Sequence, residues 1–334
     1  MKKIINTPAD FVNEAVEGIV AAHSNQLELY KGDIRVVLAK NRKKGKVGIV
    51  TAGGSGHLPV FLGYVGQGML DGCTVGNVFA SPSASKMADT IRACDSGAGV
   101  LCLFGNYSGD GLNFDMACDE VDFDGIETRK VKVRDDVASS PKETAELRRG
   151  VAGMVYAFKV AGAAAEEMRS LEEVVAVVEK ALANIRSMGI ALAPCVIPEV
   201  GKPSFVIGDD EMEWGMGIHG EPGIERSKIK TADEIAERIL DTICADMPLV
   251  GGDTVSVMVN GLGATSLEEL YIVYRKLSAL LKDKGVEVFM PHVGEFATSM
   301  EMAGLSVTIM KLDDELKTLL RAPASTPFYT NHNK

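Results

Sequence analysis

Apolar positions change their spacing several times along the chain, and each change predicts an element. Val12, Ala15, Val16, Ile19 and Val20 recur at helical spacing behind Thr7, a residue suited to cap a helix, with Pro8 and Asp10 following. Short, almost wholly apolar runs then predict buried strands at Val47–Thr51 and Gly99–Phe104. Thr128–Val133 alternates charge with valine, as a half-exposed strand does. Ser140-Pro141-Lys142-Glu143 has the pattern of a capping box and predicts a helix through Ala145–Met168. Ser170 with Glu173 opens another, ending near Gly189. Strands are expected at Ile190–Val196, Ser204–Ile207, Val255–Val259, Val286–Met290 and Leu305–Lys311. Helices are expected from Thr231 to Met247, from Ser266 to about Lys284 and over Asp313–Leu320, and the tail from Ala322 has no periodicity.

Strands that alternate with helices predict two α/β domains, each with a largely parallel or mixed central sheet flanked by helices. The turn expected at Ser187–Gly189 divides them into residues 1–188 and 189–334. The 334-residue length suits two domains.

Composition narrows the function. Thirty-five Lys and Arg against 46 Asp and Glu leave a net charge of −11, which argues against a general nucleic-acid binder and gives no attraction to an anionic membrane. No apolar run approaches the ~20 residues of a membrane span, and the start Met1–Asn6 has no signal-peptide core, so a cytoplasmic location is expected. Six scattered cysteines offer neither zinc spacing nor a disulfide framework and read as core residues. The basic stretch Lys40–Lys46 reads as a solvated loop.

Three loops could carry chemistry. Gly53-Gly54-Ser55-Gly56-His57-Leu58-Pro59 follows a predicted strand, where ligands of open α/β sheets bind, but fits neither a P-loop nor a dinucleotide fingerprint. It is a tight turn or a site, and the histidine favours a site. Gly105-Asn106-Tyr107-Ser108-Gly109-Asp110 places a carboxylate at a second strand end, where it is either a turn former or a general base. Gly215–Gly223 isolates His219 among glycines; a neutral imidazole there is structural or a nucleophile toward a carbonyl. His23, His292 and His332 are weaker candidates, and the acidic run Asp115–Asp124 reads as a solvated face.

In this order the three loops resemble the sugar-binding K subunit of dihydroxyacetone kinases. Gly217-Ile218-His219-Gly220-Glu221-Pro222-Gly223 is the most specific segment, and Tyr64–Leu70, Ser81-Pro82-Ser83, Arg148–Ala152, Gly201–Phe205 and Gly261–Thr265 also resemble the family in register. The resemblance implies that His219 holds dihydroxyacetone or another short ketose as a covalent hemiaminal. It implies that His57 hydrogen-bonds the sugar oxygen and that Asp110 is the general base on the hydroxyl that receives phosphate. Gly53, Gly54, Ser55 and Gly105 would line the sugar. No cofactor is expected on this chain; ATP, or ADP recharged from phosphoenolpyruvate through a phosphocarrier, would sit with Mg²⁺ on a separate nucleotide-binding L subunit, no L domain being expected at the end of this chain. A homodimer is expected.

Two positions depart from the family. Leu58 replaces a carboxylate beside His57, and Gly105 replaces a lysine that contacts substrate. The space expected at Gly105 suggests a longer ketose such as erythrulose. A different class of function also fits the resemblance, a ketose-sensing co-activator that binds sugar without passing phosphate to it.

Overall fold

The computed structural model describes residues 2–332; Met1 and the tail residues Asn333 and Lys334 lie outside the described residues. The N-terminal half runs α1 (Phe11–Ala22), β1 (Leu27–Leu29), β2 (Val36–Ala39), β3 (Gly48–Ser55), β4 (Gly72–Val78), α2 (Ala84–Cys94), β5 (Val100–Gly105), α3 (Ser108–Asp122) and β6 (Thr128–Val133). Two helices follow, α4 (Met154–Glu166) and α5 (Leu171–Ala183). The rest comprises β7 (Ile185–Ala193), β8 (Glu211–Trp214), β9 (Glu225–Lys228), α6 (Ala232–Asp246), β10 (Thr254–Gly261), α7 (Leu267–Asp283), β11 (Glu287–Gly294), β12 (Ala303–Leu312) and α8 (Asp314–Arg321).

These twelve strands form two six-stranded sheets, β1-β2-β4-β3-β5-β6 and β11-β10-β12-β7-β8-β9, and in the tail Ala324–Ser325 pairs with Thr330–Asn331. In the first, β4, β3, β5 and β6 are mutually parallel and β1 and β2 antiparallel. The second is mostly antiparallel, with only β10 and β11 parallel. The expectation of two mixed α/β units flanked by helices holds, with less parallel pairing than strand–helix alternation suggests.

Alternating side chains give each sheet two apolar faces. One face of the first sheet packs on α2 and α3 through Val50, Cys102, Phe104, Met87, Ile91 and Phe114. The outer face of the second packs on α6 and α7 through Val255, Val257, Ile239 and Leu277. Between the sheets lie α4, α5 and α8. From Met154 to Ala165 every residue of α4 is buried, so this helix has no solvent face.

Local signals hold where little competes with them. Ser170, Thr231 and Ser266 form full capping boxes with Glu173, Glu234 and Glu269; the Thr7 hydroxyl accepts the Asp10 N–H at 3.2 Å, but in the turn before α1, whose cap position is Asp10. The box expected at Ser140 does not form. Residues Lys142–Leu147 make a 3₁₀ turn broken at Thr144, and α4 begins only at Met154. Arg148 is the reason: its guanidinium pairs with Asp246 at 2.5 Å while its Nε donates to the Ser140 carbonyl, which holds this segment extended.

Other expectations shift. Ser187–Gly189, taken as a turn, lies inside β7, paired with β12; α5 ends at Ala183; and Ser204–Ile207 is not a strand. Strand β4 and helix α3 carry no clear periodicity in sequence, whereas in α2 Met87, Ala88, Ile91 and Cys94 recur at helical spacing and form its buried face. The 40–46 segment is not simply solvated: the Lys46 ammonium is buried against Asp71 at 2.9 Å, and Arg42 pairs with Glu28. Among the described residues no helix is long and apolar enough to cross a membrane. Five of the six free cysteines are buried, as core residues.

Candidate ketose site

Strand β3 runs into the glycine loop, whose composition follows from how closely its neighbours approach. A Cβ on Gly53 would lie 2.3 Å from the Phe61 ring, and one on Gly54 2.7 Å from the Ala80 nitrogen. The loop is also tied to the second half of the chain. Met300 N–H donates to the Gly56 carbonyl at 2.7 Å, and the Thr298 hydroxyl to the Leu58 carbonyl at 2.8 Å.

His57 is 1% exposed and stacks on Phe79, ring centroids 4.8 Å apart. Its Nδ1 lies 2.8 Å from the Thr298 carbonyl. A carbonyl can only accept, so Nδ1 carries the proton and Nε2 is a bare acceptor. That Nε2 is buried without a hydrogen-bond partner. Burial, and then the nearby His219, push the imidazole down to about 3, so it is neutral across the ordinary pH range.

His219 arrives from the β8–β9 connection of the other sheet. Its ring meets His57 edge-on at 4.7 Å and Tyr107 at 4.8 Å. Its Nδ1 lies 2.8 Å from Glu221 Oε1, and its backbone N–H donates to Oε2 at 2.9 Å. Burial alone would raise the Glu221 carboxyl, but the bonds and charge of His219 outweigh it and hold it at about 2. In the neutral imidazole a carboxylate on Nδ1 keeps the proton there and leaves Nε2 of His219 with its lone pair free.

Asp110 sits in the first turn of α3 and is 8% exposed. Its Oδ1 is buried without a partner. Burial raises its carboxyl above the usual value, against a hydrogen bond from Ser81 and the charge of His219. The structure thus brings His57 and His219 ring to ring beside Phe79 and Tyr107, with Asp110, at the start of α3, near enough to feel the charge of His219.

The remaining predicted residues also have scaffold contacts. The Ser55 hydroxyl donates to the Gly76 carbonyl at 2.8 Å. At Gly105 there is no spare space along the Cβ direction, where the Tyr107 ring and the Met154 sulfur stand at 3.1 and 3.2 Å. Leu58 is 37% exposed. With Gly53, Gly54, Ser55, His57, Phe61 and residues of α1 it lines a largely apolar cavity of about 530 Å³, whose lining includes neither His219 nor Asp110. His292 is half-buried against Tyr156, Tyr329 and Phe296. Sequence reasoning passed over Phe79, Glu221 and Arg149; for Glu221 a signal existed, a carboxylate two residues beyond the isolated histidine. Among the described residues no three His, Cys, Asp or Glu side chains converge as metal ligands.

Comparison with known proteins shows the family. The Dak1 domain family matches residues 17–328. The dihydroxyacetone-binding subunit of a PTS-dependent dihydroxyacetone kinase from Listeria innocua is 46% identical over 327 residues, covering 98% of this chain and 99% of that one. A D-erythrulose kinase from Mycolicibacterium smegmatis is 44% identical over 329 residues, 98% of this chain and 56% of that protein. Among solved structures, a dihydroxyacetone kinase operon co-activator superposes with a TM-score of 0.90 at 32% identity, covering 96% of this chain and 98% of its own. The chain belongs to the Dak1 domain family.

Proposed function

We propose that this chain is the sugar-binding subunit of a dihydroxyacetone kinase, holding a short ketose on His219 and presenting its terminal hydroxyl for phosphorylation. The observation that carries the reading is a pair of buried acceptors without partners, His57 Nε2 and Asp110 Oδ1, near a histidine whose Nε2 is free. Buried polar atoms are rarely left unpaired. A polyhydroxylated ketone supplies both O–H donors and the carbon that an imidazole attacks. Relatives named as dihydroxyacetone-binding subunits support the reading.

The chemistry follows from the tautomers. As the bond from His219 Nε2 to the ketone carbon forms, the C=O π bond opens. The proton lost from Nδ1, steadied by Glu221, is balanced by the one gained at the new hydroxyl. Glycerol offers no such carbon, so covalent capture selects ketones. His57 Nε2 accepts from a sugar hydroxyl. Asp110, made more basic by burial, draws the proton from the terminal hydroxyl as that oxygen attacks phosphorus. ATP, or recharged ADP, with Mg²⁺ on an L partner supplies the phosphoryl group, and a homodimer and a phosphocarrier complete the proposed assembly.

The test is carbon NMR with ketone-labelled dihydroxyacetone. The ketone signal is expected to convert to a tetrahedral carbon with the intact chain and not with His219→Ala. With an ATP-loaded L subunit, Asp110→Asn should reduce phosphate transfer by at least about 100-fold while keeping the adduct. No adduct in the intact chain overturns the site. An adduct without transfer favours the co-activator reading, which the 0.90 superposition supports. Labelled erythrulose in the same assay examines the longer substrate, supported by the erythrulose-kinase relatives, although the Tyr107 ring and the Met154 sulfur crowd the Cβ direction at Gly105.

A further inference from the structure

His57 and Asp110 belong to the first sheet and its helices, whereas His219 hangs from the second. Their meeting depends on how the 215–223 loop is docked. Arg149, on the segment between β6 and α4, reaches that loop. Its Nε donates to Asp136 Oδ2 at 3.0 Å and its Nη2 to the Gly215 carbonyl at 2.9 Å, while Nη1 stands 4.0 Å from Glu221 Oε2. The packing here is close. A Cβ on Gly217 would lie 2.1 Å from that same Glu221 oxygen and 2.5 Å from Nη1.

Asp136 is fixed in turn. Its backbone N–H donates to the Arg149 carbonyl at 3.1 Å, and its Oδ1 accepts the Ala138 N–H at 3.1 Å. The Asp136 side chain is 3% exposed and that of Arg149 14%. A buried carboxylate, a guanidinium, a second carboxylate and the His219 imidazole therefore stand in series across the junction between the two halves.

We propose that Arg149, braced by Asp136, is the positioning residue of the ketose site: it docks the His219 loop on the N-terminal half and holds Glu221 so that Nε2 of His219 faces the ketone. This rests on the covalent-capture reading above. The 4.0 Å gap to Glu221 is a charge contact, not a hydrogen bond, so Arg149 orients the carboxylate by charge without donating a hydrogen bond to it. The task suits arginine. One planar fork reaches Asp136, Gly215 and the Glu221 side at once, which a lysine ammonium cannot do. Through Glu221 the alignment passes to the Nδ1 proton of His219 and so to the nucleophilic nitrogen.

Full-length Arg149→Met, Arg149→Lys and Asp136→Asn chains test this. The first readout needs no sugar: nitrogen NMR of labelled His219, which reports which ring nitrogen carries the proton. The second is the fraction of ketone-labelled dihydroxyacetone captured, with kcat and KM measured alongside an ATP-loaded L subunit. Arg149→Met is expected to mix the His219 tautomers and to lower capture on the order of tenfold to a hundredfold, the range for a misplaced reacting group. Arg149→Lys and Asp136→Asn should fall between it and the parent. Unchanged His219 tautomers in folded Arg149→Met overturn the proposal even if capture falls. Should that variant not fold, unchanged tautomers in both milder variants overturn it equally. If the parent chain captures no ketone, the capture reading fails, and the tautomer readout still decides whether Arg149 orients Glu221 and His219.

Discussion

At the scale of single residues, His57 links the site to acid stability. In the folded chain burial pushes its imidazole down to about 3, whereas an unfolded histidine titrates near ~6.5. Between those values the unfolded chain binds a proton that the folded chain refuses, so folding stability falls as the pH drops through that window. His292, pushed down to about 4 by burial, acts with the same sign. For His57 alone the loss reaches roughly 3 kcal/mol by pH 4. His57→Asn is therefore expected to show a melting temperature that declines less between pH 7 and pH 4 than the parent's, which a pH series of thermal melts would check. Equal slopes would mean that the folded chain accommodates a charged His57.

Element scale brings local preference into conflict with packing, and α4 shows which wins. Alanine outranks glycine in a helix by about 1 kcal/mol, so propensity alone would favour Gly162→Ala. A Cβ there would lie 2.4 Å from the Met69 Cα and 2.4 Å from its carbonyl oxygen. Those are backbone atoms, which cannot swing aside. Overpacking of this kind costs about 1–3 kcal/mol, and the variant is expected to be less stable by up to about 2 kcal/mol net in urea denaturation. A gain in stability would show that the 64–70 segment yields. The same competition explains the early failure of the Ser140 box: a cap offers about 1 kcal/mol, less than the pairing that pulls Arg148 to Asp246.

On the scale of the whole molecule, Asp246 ties the halves together. At the end of α6, it receives Arg148 from the segment after β6 and Arg186 from β7. Burial alone would raise its carboxyl, but the hydrogen bonds and charges of two guanidiniums hold it at about 2. Its folded value is depressed, so its contribution is present above about 4, the unfolded value, and is lost as pH falls toward 2. Asp246→Asn leaves two adjoining guanidiniums without a counter-charge and is expected to cost about 3 kcal/mol at neutral pH. Calorimetry checks this: a melting temperature within a degree of the parent's would show that water replaces the carboxylate.

What the sequence determined by itself is the set of features governed by a few neighbouring residues. The boxes at Ser170, Thr231 and Ser266 formed because each cap and its glutamate are three positions apart. The β3 and β5 strands and their glycine-rich exits were visible because burial on both faces leaves unbroken apolar runs. His219 stood out because glycines surround it. Strand β4 was not visible, since Gly72 and Gly76 serve contacts with Cys94 and Ala80 rather than any pattern along the strand. Only the tertiary structure decided that the second sheet is largely antiparallel, that Tyr107 and Met154 occupy the space beside Gly105, and that Leu58 faces an apolar cavity. It alone placed Arg149 against the His219 loop. Each of these depends on chain segments far apart in sequence, and pairing direction and close approach are set by those partners, not by the spacing of neighbours.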